Sequence, residues 1–246
     1  MRTFLIIVAV VIFAVVGLVW FALSNVNGLV ETAIERSGTR ATQTDVAVSG
    51  VDVRFTESKA TISGLTIANP EGFSPGNAFE LGGITVALNA EEMRAAQDTQ
   101  TIVLSAIEVE APKIMVEFLS DGSSNIKALQ KNVSSLAGGQ DAGGGGPRII
   151  VDRLEIRSAE VTALAPGGRS YDLRLPAITM TDIGRSEGGL PGAELAAEIL
   201  DEVSGTVLRE TAKANVMDRL GLSGAGDAVR GLGEGVGGGV RDLLGR

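Results

Sequence analysis

The chain has 246 residues, a formal charge of −9 at neutral pH, and neither cysteine nor histidine. That composition excludes disulfides, thiolate and imidazole metal sites, histidine triads and imidazole acid–base chemistry. The acidic balance argues against binding a nucleic-acid backbone, which needs clustered cations.

Residues Phe4 to Leu23 read FLIIVAVVIFAVVGLVWFAL, nineteen of the twenty apolar and none charged. At 1.5 Å per residue a helix of that length matches the roughly 30 Å hydrocarbon core of a bilayer. Arg2 precedes it and Glu31 follows, so the positive-inside rule places a short N-terminus in the cytoplasm and the body outside. Trp20 and Phe21 lie at the far end, where interfacial aromatics belong. The apolar run is long for a cleaved signal peptide and no small-x-small site follows Leu23, so an uncleaved anchor over residues 1–24 is expected. A helical extension over 25–38 carries Val26, Leu29, Val30, Ala33 and Ile34 on one stripe, with Gly38 as its stop.

The period then changes from 3.6 to 2, opening a first β unit over 39–137 with a short helix near its end. Val46 and Val48 alternate with polar or small neighbours, and Val51, Val53 and Phe55 do so on the opposite parity, the switch falling at Gly50. Ile62 gives way to Leu65 and Ile67 at Gly64, and such parity changes at glycine predict β-bulges in a curved hairpin turning at Thr56–Lys59. Ile84, Val86 and Leu88 mark another strand, 102–109 a further one, and Ile114, Val116 and Phe118 the next, beyond Pro112. Glu108, Glu110 and Glu117 read as solvated strand faces. Residues 122–136 suggest a turn and a short helix, and 138–147 form a glycine-rich linker.

A second β unit spans 148–185. Leu154 and Ile156, then Leu173 and Leu175, then Ile178 and Met180 alternate with polar neighbours. About ten strands, most with one apolar face, predict an antiparallel sheet. An amphipathic helix over 186–221 follows, striped by Ala196, Leu200, Val203, Val207, Ala214 and Met217, and then a glycine-rich tail over 222–246. GEGVGG at 233–238 fits a dinucleotide fingerprint formally but follows no strand, and GLSGA at 221–225 misses a nucleophile elbow. Asn132-Val133-Ser134 is a bare sequon.

The stretch Ile62 to Phe73, ISGLTIANPEGF, resembles the hallmark of AsmA-like envelope proteins. So do Phe79 to Asn89, the pair of strands about a proline in IEVEAPKIMVE (107–117), GSSNIKAL at Gly122–Leu129, and the second unit ending at Leu175–Gly184. The resemblance covers about residues 1–185 and rests on the joint order of these motifs, none of which is catalytic. It implies a single helix in a bacterial inner membrane and a periplasmic body. That body would be a curved antiparallel sheet with an open apolar groove, and larger members carry phospholipid between membranes or act in outer-membrane homeostasis.

Two functions are therefore expected to compete, neither of them enzymatic and neither needing a cofactor, metal or nucleic acid. In the first, the apolar sheet face from Val51, Val53 and Phe55 through to Ile178 and Met180 is a groove for lipid acyl chains. In the second, the same face is a closed core and the chain is a structural subunit that docks an envelope protein at the membrane or a second copy of itself. Ten strands at about 4.8 Å span only about 50 Å, too little to bridge a periplasm alone.

Overall fold

The structure is a computed structural model that describes residues 26–89, 91–92, 101–137 and 147–213. The expected anchor, most of the linker and the tail lie outside these residues. Among the described residues no helix is long and apolar enough to cross a membrane.

The first helix, α1 (Val26–Thr42), runs one turn beyond the expected stop. Gly38 lies within it: a Cβ there would sit 2.9 Å from Val46 Cγ1, so glycine lets the following strand approach the helix. The helix ends instead at Gln43, whose φ of 56° is the left-handed C-terminal conformation.

Ten strands follow: β1 (Val46–Ala47), β2 (Gly50–Arg54), β3 (Lys59–Ala68), β4 (Asn77–Leu88), β5 (Thr101–Glu110), β6 (Lys113–Glu117), β7 (Arg148–Arg157), β8 (Glu160–Leu164), β9 (Ser170–Arg174) and β10 (Ile178–Ile183). Helix α2 (Asn125–Ala137) precedes β7 and α3 (Gly192–Lys213) follows β10. All ten strands belong to one sheet, in which β4 pairs with β3 along one edge and with β5 and then β6 along the other. The β5–β6 pair lies beside β7–β8, and β10 and β9 complete that far edge. The two β units are thus halves of one sheet.

The expected all-antiparallel sheet is corrected at one place. β5 pairs with β7, and β6 with β8, in parallel. The reason is the intervening helix: a parallel neighbour needs a crossover connection longer than a hairpin, and α2 with the glycine-rich stretch supplies it.

Six ribbons make up this sheet (β1–β2, β3, β4, β5–β6, β7–β8 and β9–β10), and each changes the face it buries at one shared crease. The pairings align Ser49, Gly64, Gly82, Ala111, Ser158 and Pro176 along a single line across it. Three of them, Gly64, Ala111 and Ser158, have φ between 47° and 59°. At this crease every ribbon changes parity: Phe79 and Leu81 face inward before it and Ile84 and Val86 after it, as Ile156 and then Val161 do farther along. The predicted parity switch at Gly64 is therefore real, but the β-bulge is not. Gly50 opposes Ser63 and Ala47 opposes Thr66, so equal numbers of residues cross the bend on both strands. A left-handed residue reverses which face its strand presents without an extra residue, and the crease follows. The register irregularities fall elsewhere, at Ile67/Ala68 and Ala87/Leu88.

The folded sheet is filled from inside by helices. Ile126, Leu129 and Val133 recur at helical spacing and bury one face of α2, and Leu195, Val203 and Val207 do the same on α3. Residues 203–208 of α3 are all buried, and its middle, Ser204-Gly205-Thr206, is small enough for that. The helix is shorter at its start than expected, opening after Pro191, whose carbonyl accepts the Leu195 N–H at 3.0 Å.

Candidate functional site

Thirteen of the seventeen residues assigned to the apolar face meet in one place. Ile84, Ile114, Val116, Phe118, Leu154, Ile156, Leu175 and Ile178 are buried in a single cluster, and Leu65, Ile67, Val86, Leu173 and Met180 pack on it half-buried. The other side of that cluster is protein: Ile126 and Leu129 of α2, and Leu195, Val203, Val207 and Leu208 of α3. Val51, buried, and Val53 and Leu88, half-buried, lie outside it. The Phe55 side chain lies outside the described residues.

Burying an aliphatic side chain of this size stabilises by about 1.5–3 kcal/mol. The six helix residues together contribute roughly 9–18 kcal/mol, as much as the net stability of a typical domain.

The described residues also hold a buried polar clamp that the sequence reading missed. Asn125, wholly buried at the start of α2, uses both ends of its amide. Its Oδ1 accepts the backbone N–H of Glu117 at 2.9 Å and of Ile126 at 2.8 Å. Its Nδ2 donates to the Met115 carbonyl at 2.8 Å and to Asn69 Oδ1 at 2.7 Å. Asn69 in turn donates to the Ser74 carbonyl at 2.9 Å. Glu117 accepts from the Ser74 backbone N–H at 2.8 Å and hydroxyl at 2.9 Å. Glu117 was expected on a solvated face, and the structure corrects this: it is 8 % exposed, because β6 carries it under the 69–76 loop, whose donors it satisfies. Glu108 and Glu110 are exposed as expected. The asparagine of the ANPEGF stretch and that of the GSSN stretch are thus hydrogen-bonded partners 56 positions apart, and the clamp joins the β3–β4 loop, β6 and the start of α2 rather than forming an open site.

Two further polar groupings lie at the surface. On the outer face of β7, Glu155 pairs with Arg157 at 2.7 Å and Arg153 at 2.6 Å, and Arg157 also reaches Glu110 at 2.9 Å. Hydrogen bonds from Arg157 first, and then Arg153, hold the Glu155 carboxyl down to about 2. An open cleft of about 320 Å³ lies between Pro176–Thr179 and α3, lined by Glu202, Thr206, Arg209 and Glu210. Arg209 is already paired there, to Glu202 at 3.0 Å and to the Thr206 hydroxyl at 2.7 Å.

Between α2 and α3, Gln130 donates to Asp201. Burial raises the Asp201 carboxyl against that hydrogen bond, and burial followed by nearby Glu187 raises Glu198. Burial alone lowers Lys127 on α2.

No family model, curated protein or solved structure matches the chain. Its functional reading therefore rests on its own geometry and on the motifs quoted above. Of those motifs, ISGLTIANPEGF contributes a crease residue, Gly64, and a clamp residue, Asn69. IEVEAPKIMVE contributes Ala111 at the crease and Glu117 at the clamp, and GSSNIKAL contributes Asn125. Every one of these positions shapes the backbone or satisfies it.

Proposed function

We propose that the chain is a non-enzymatic, membrane-anchored envelope module with a closed β core, acting as a structural subunit that docks a protein partner at the membrane. The observation that carries this reading is the packing of α2 and α3 residues against the apolar sheet face. For acyl chains to occupy that face, the helices would have to leave, at roughly 9–18 kcal/mol. Lipid offers nothing to offset this, because acyl chains drawn from a bilayer are already out of water and their transfer gains no hydrophobic free energy. Among the described residues, β9–β10 stands at the far edge of the sheet, paired to β8 and β7, and a sheet edge is one surface on which a partner strand can add.

The test is photocrosslinking of the full chain in vesicles that contain a phospholipid with a photoactivatable acyl chain. Peptides from the inner face, 60–67, 84–88 and 114–118, are expected to remain free of lipid adducts. Adducts on them would refute the closed core and restore the lipid-binding groove that the AsmA-like resemblance implies.

A further inference from the structure

Helix α1 has two different faces. On one, three side chains accept from edge N–H groups of the sheet: Asn27 Oδ1 from Val53 at 3.0 Å, Glu35 Oε1 from Val48 at 3.0 Å and Thr39 Oγ1 from Val46 at 3.2 Å. The edge of β1–β2 is thereby satisfied by α1 and the helix is held rigidly on the body. On the other face Leu29, Ala33, Arg36 and Arg40, all exposed, follow the spacing i, i+4, i+7, i+11 and fall within an arc of about 60°. Leu29 is 64 % exposed and is the exposed large hydrophobic side chain among the described residues. Glu31 and Glu35 lie off this stripe.

We propose that this outer stripe rests on the surface of an anionic bilayer. Leu29 and Ala33 sit at the boundary of headgroups and acyl chains, Arg36 lies against lipid phosphate, and α1 so fixes the orientation of the body relative to the membrane. The inference rests on the reading of Phe4–Leu23 as an anchor. Leu29 is six residues from the end of that stretch, and even a fully extended chain spans at most about 3.6 Å per residue, so Leu29 stays within about 20 Å of its end. A bilayer that holds the anchor lies within that reach. Charge agrees: a chain of net −9 is repelled by anionic lipid, yet its stripe nearest the anchor carries the exposed Arg36 and no carboxylate. Each basic side chain near such a surface adds attraction.

The chain has no native cysteine, so single cysteines at Leu29, Ala33 and Gly28 can be labelled cleanly with an environment-sensitive fluorophore. Gly28 is exposed, has open space where a Cβ would stand and lies off the stripe at nearly the same depth. The full chain is reconstituted in phosphatidylethanolamine–phosphatidylglycerol vesicles, with and without nitroxide lipids that quench near the glycerol backbone. The expected result is blue-shifted emission at Leu29→Cys and Ala33→Cys, largely quenched by nitroxide lipid, with a smaller response at Gly28→Cys. Arg36→Glu should weaken the quenching. If the chain floats with the vesicles but the Leu29 label stays in water, the stripe proposal is wrong and the anchor reading stands. If the chain does not float, both fall. A blue shift without lipid quenching would mean that protein covers the stripe, and would overturn the proposal.

Discussion

Replacing Asn125 by alanine removes four hydrogen bonds with one truncation. Two of the released groups, the Glu117 N–H and the Met115 carbonyl, belong to β6, the first in a buried hydrogen bond and the second in a part-buried one. A buried backbone group left unpaired costs about 1–3 kcal/mol. Two of them, with the loss of the Asn69 contact, put the expected destabilisation at roughly 3–5 kcal/mol. Equilibrium unfolding of the full chain in detergent with urea measures it. With a slope of about 2 kcal/mol per molar, the midpoint should fall by roughly 1.5–2.5 M. Asn125→Asp keeps the two acceptor contacts and loses both donors, so it should recover only part of the loss. Asn69→Ala should give a smaller loss that is not additive with Asn125→Ala, because both cut the same bond at 2.7 Å. Additive effects, or a shift under about 0.5 M for Asn125→Ala, would refute the clamp as a unit.

The crease makes predictions of opposite sign at neighbouring ribbons. Gly64→Ala should destabilise by about 2 kcal/mol or more, because the left-handed conformation penalises a Cβ and that Cβ meets the Ser49 hydroxyl. Ala111→Gly or Ser158→Gly should instead be neutral or stabilise by up to about 1 kcal/mol, read as the change in thermal midpoint; destabilisation there would count against the left-handed crease. Val116→Asp, at a fully buried position, should prevent stable folding, whereas Val53→Asp at a half-buried position should fold; circular dichroism separates this from an open groove, in which both fold. Stability against pH should rise and then fall on acidification. Asp201 and Glu198 have carboxyls raised on folding, so the folded state binds their protons more readily and gains stability as pH drops through their folded values. Glu155, held at about 2 from a reference of 4.5, contributes stability above that reference and loses it as pH falls toward 2. Asp201→Asn should flatten the upper arm and Glu155→Gln the lower, and thermal midpoints across the range that leave both slopes unchanged would contradict these assignments.

Alternation made most strands legible, because each ribbon buries one face and a period of two survives in Ile84, Val86 and Leu88 or in Leu154 and Ile156. The parity switches were also readable, but their cause was not. Only Gly64 announces itself as glycine, whereas Ala111 and Ser158 adopt a positive φ that their side chains disfavour, and composition gives no warning of that. β8 was not resolved as a separate strand because it is five residues long and follows β7 by only two. The parallel pairing depends on which way the chain returns after α2, a tertiary choice that no local pattern carries. Glu117 misled for the same reason. A carboxylate in an alternating strand reads as solvated, and it is buried only because a loop forty-three positions earlier supplies two donors.

Residues that shape a sheet and residues that cover it need not coincide, and in this chain they lie largely in different stretches of sequence. The motifs that resemble AsmA-like proteins lie within residues 1–185, and in this chain they supply crease and clamp residues: Gly64, Ala111, Asn69, Glu117 and Asn125. Such positions set where the ribbons switch faces and tie the 69–76 loop to β6 and α2, and say nothing of what covers the apolar face. The filling comes largely from α3, Gly192–Lys213, beyond the last of those motifs. Four apolar side chains of this helix enter the cluster that the strands leave open. A chain with the same crease and clamp but no such helix would have to cover that face with something else, and acyl chains would serve. The motifs that carry the resemblance thus lie on the sheet and its loops, while the side chains that cover the apolar face come largely from a helix outside them.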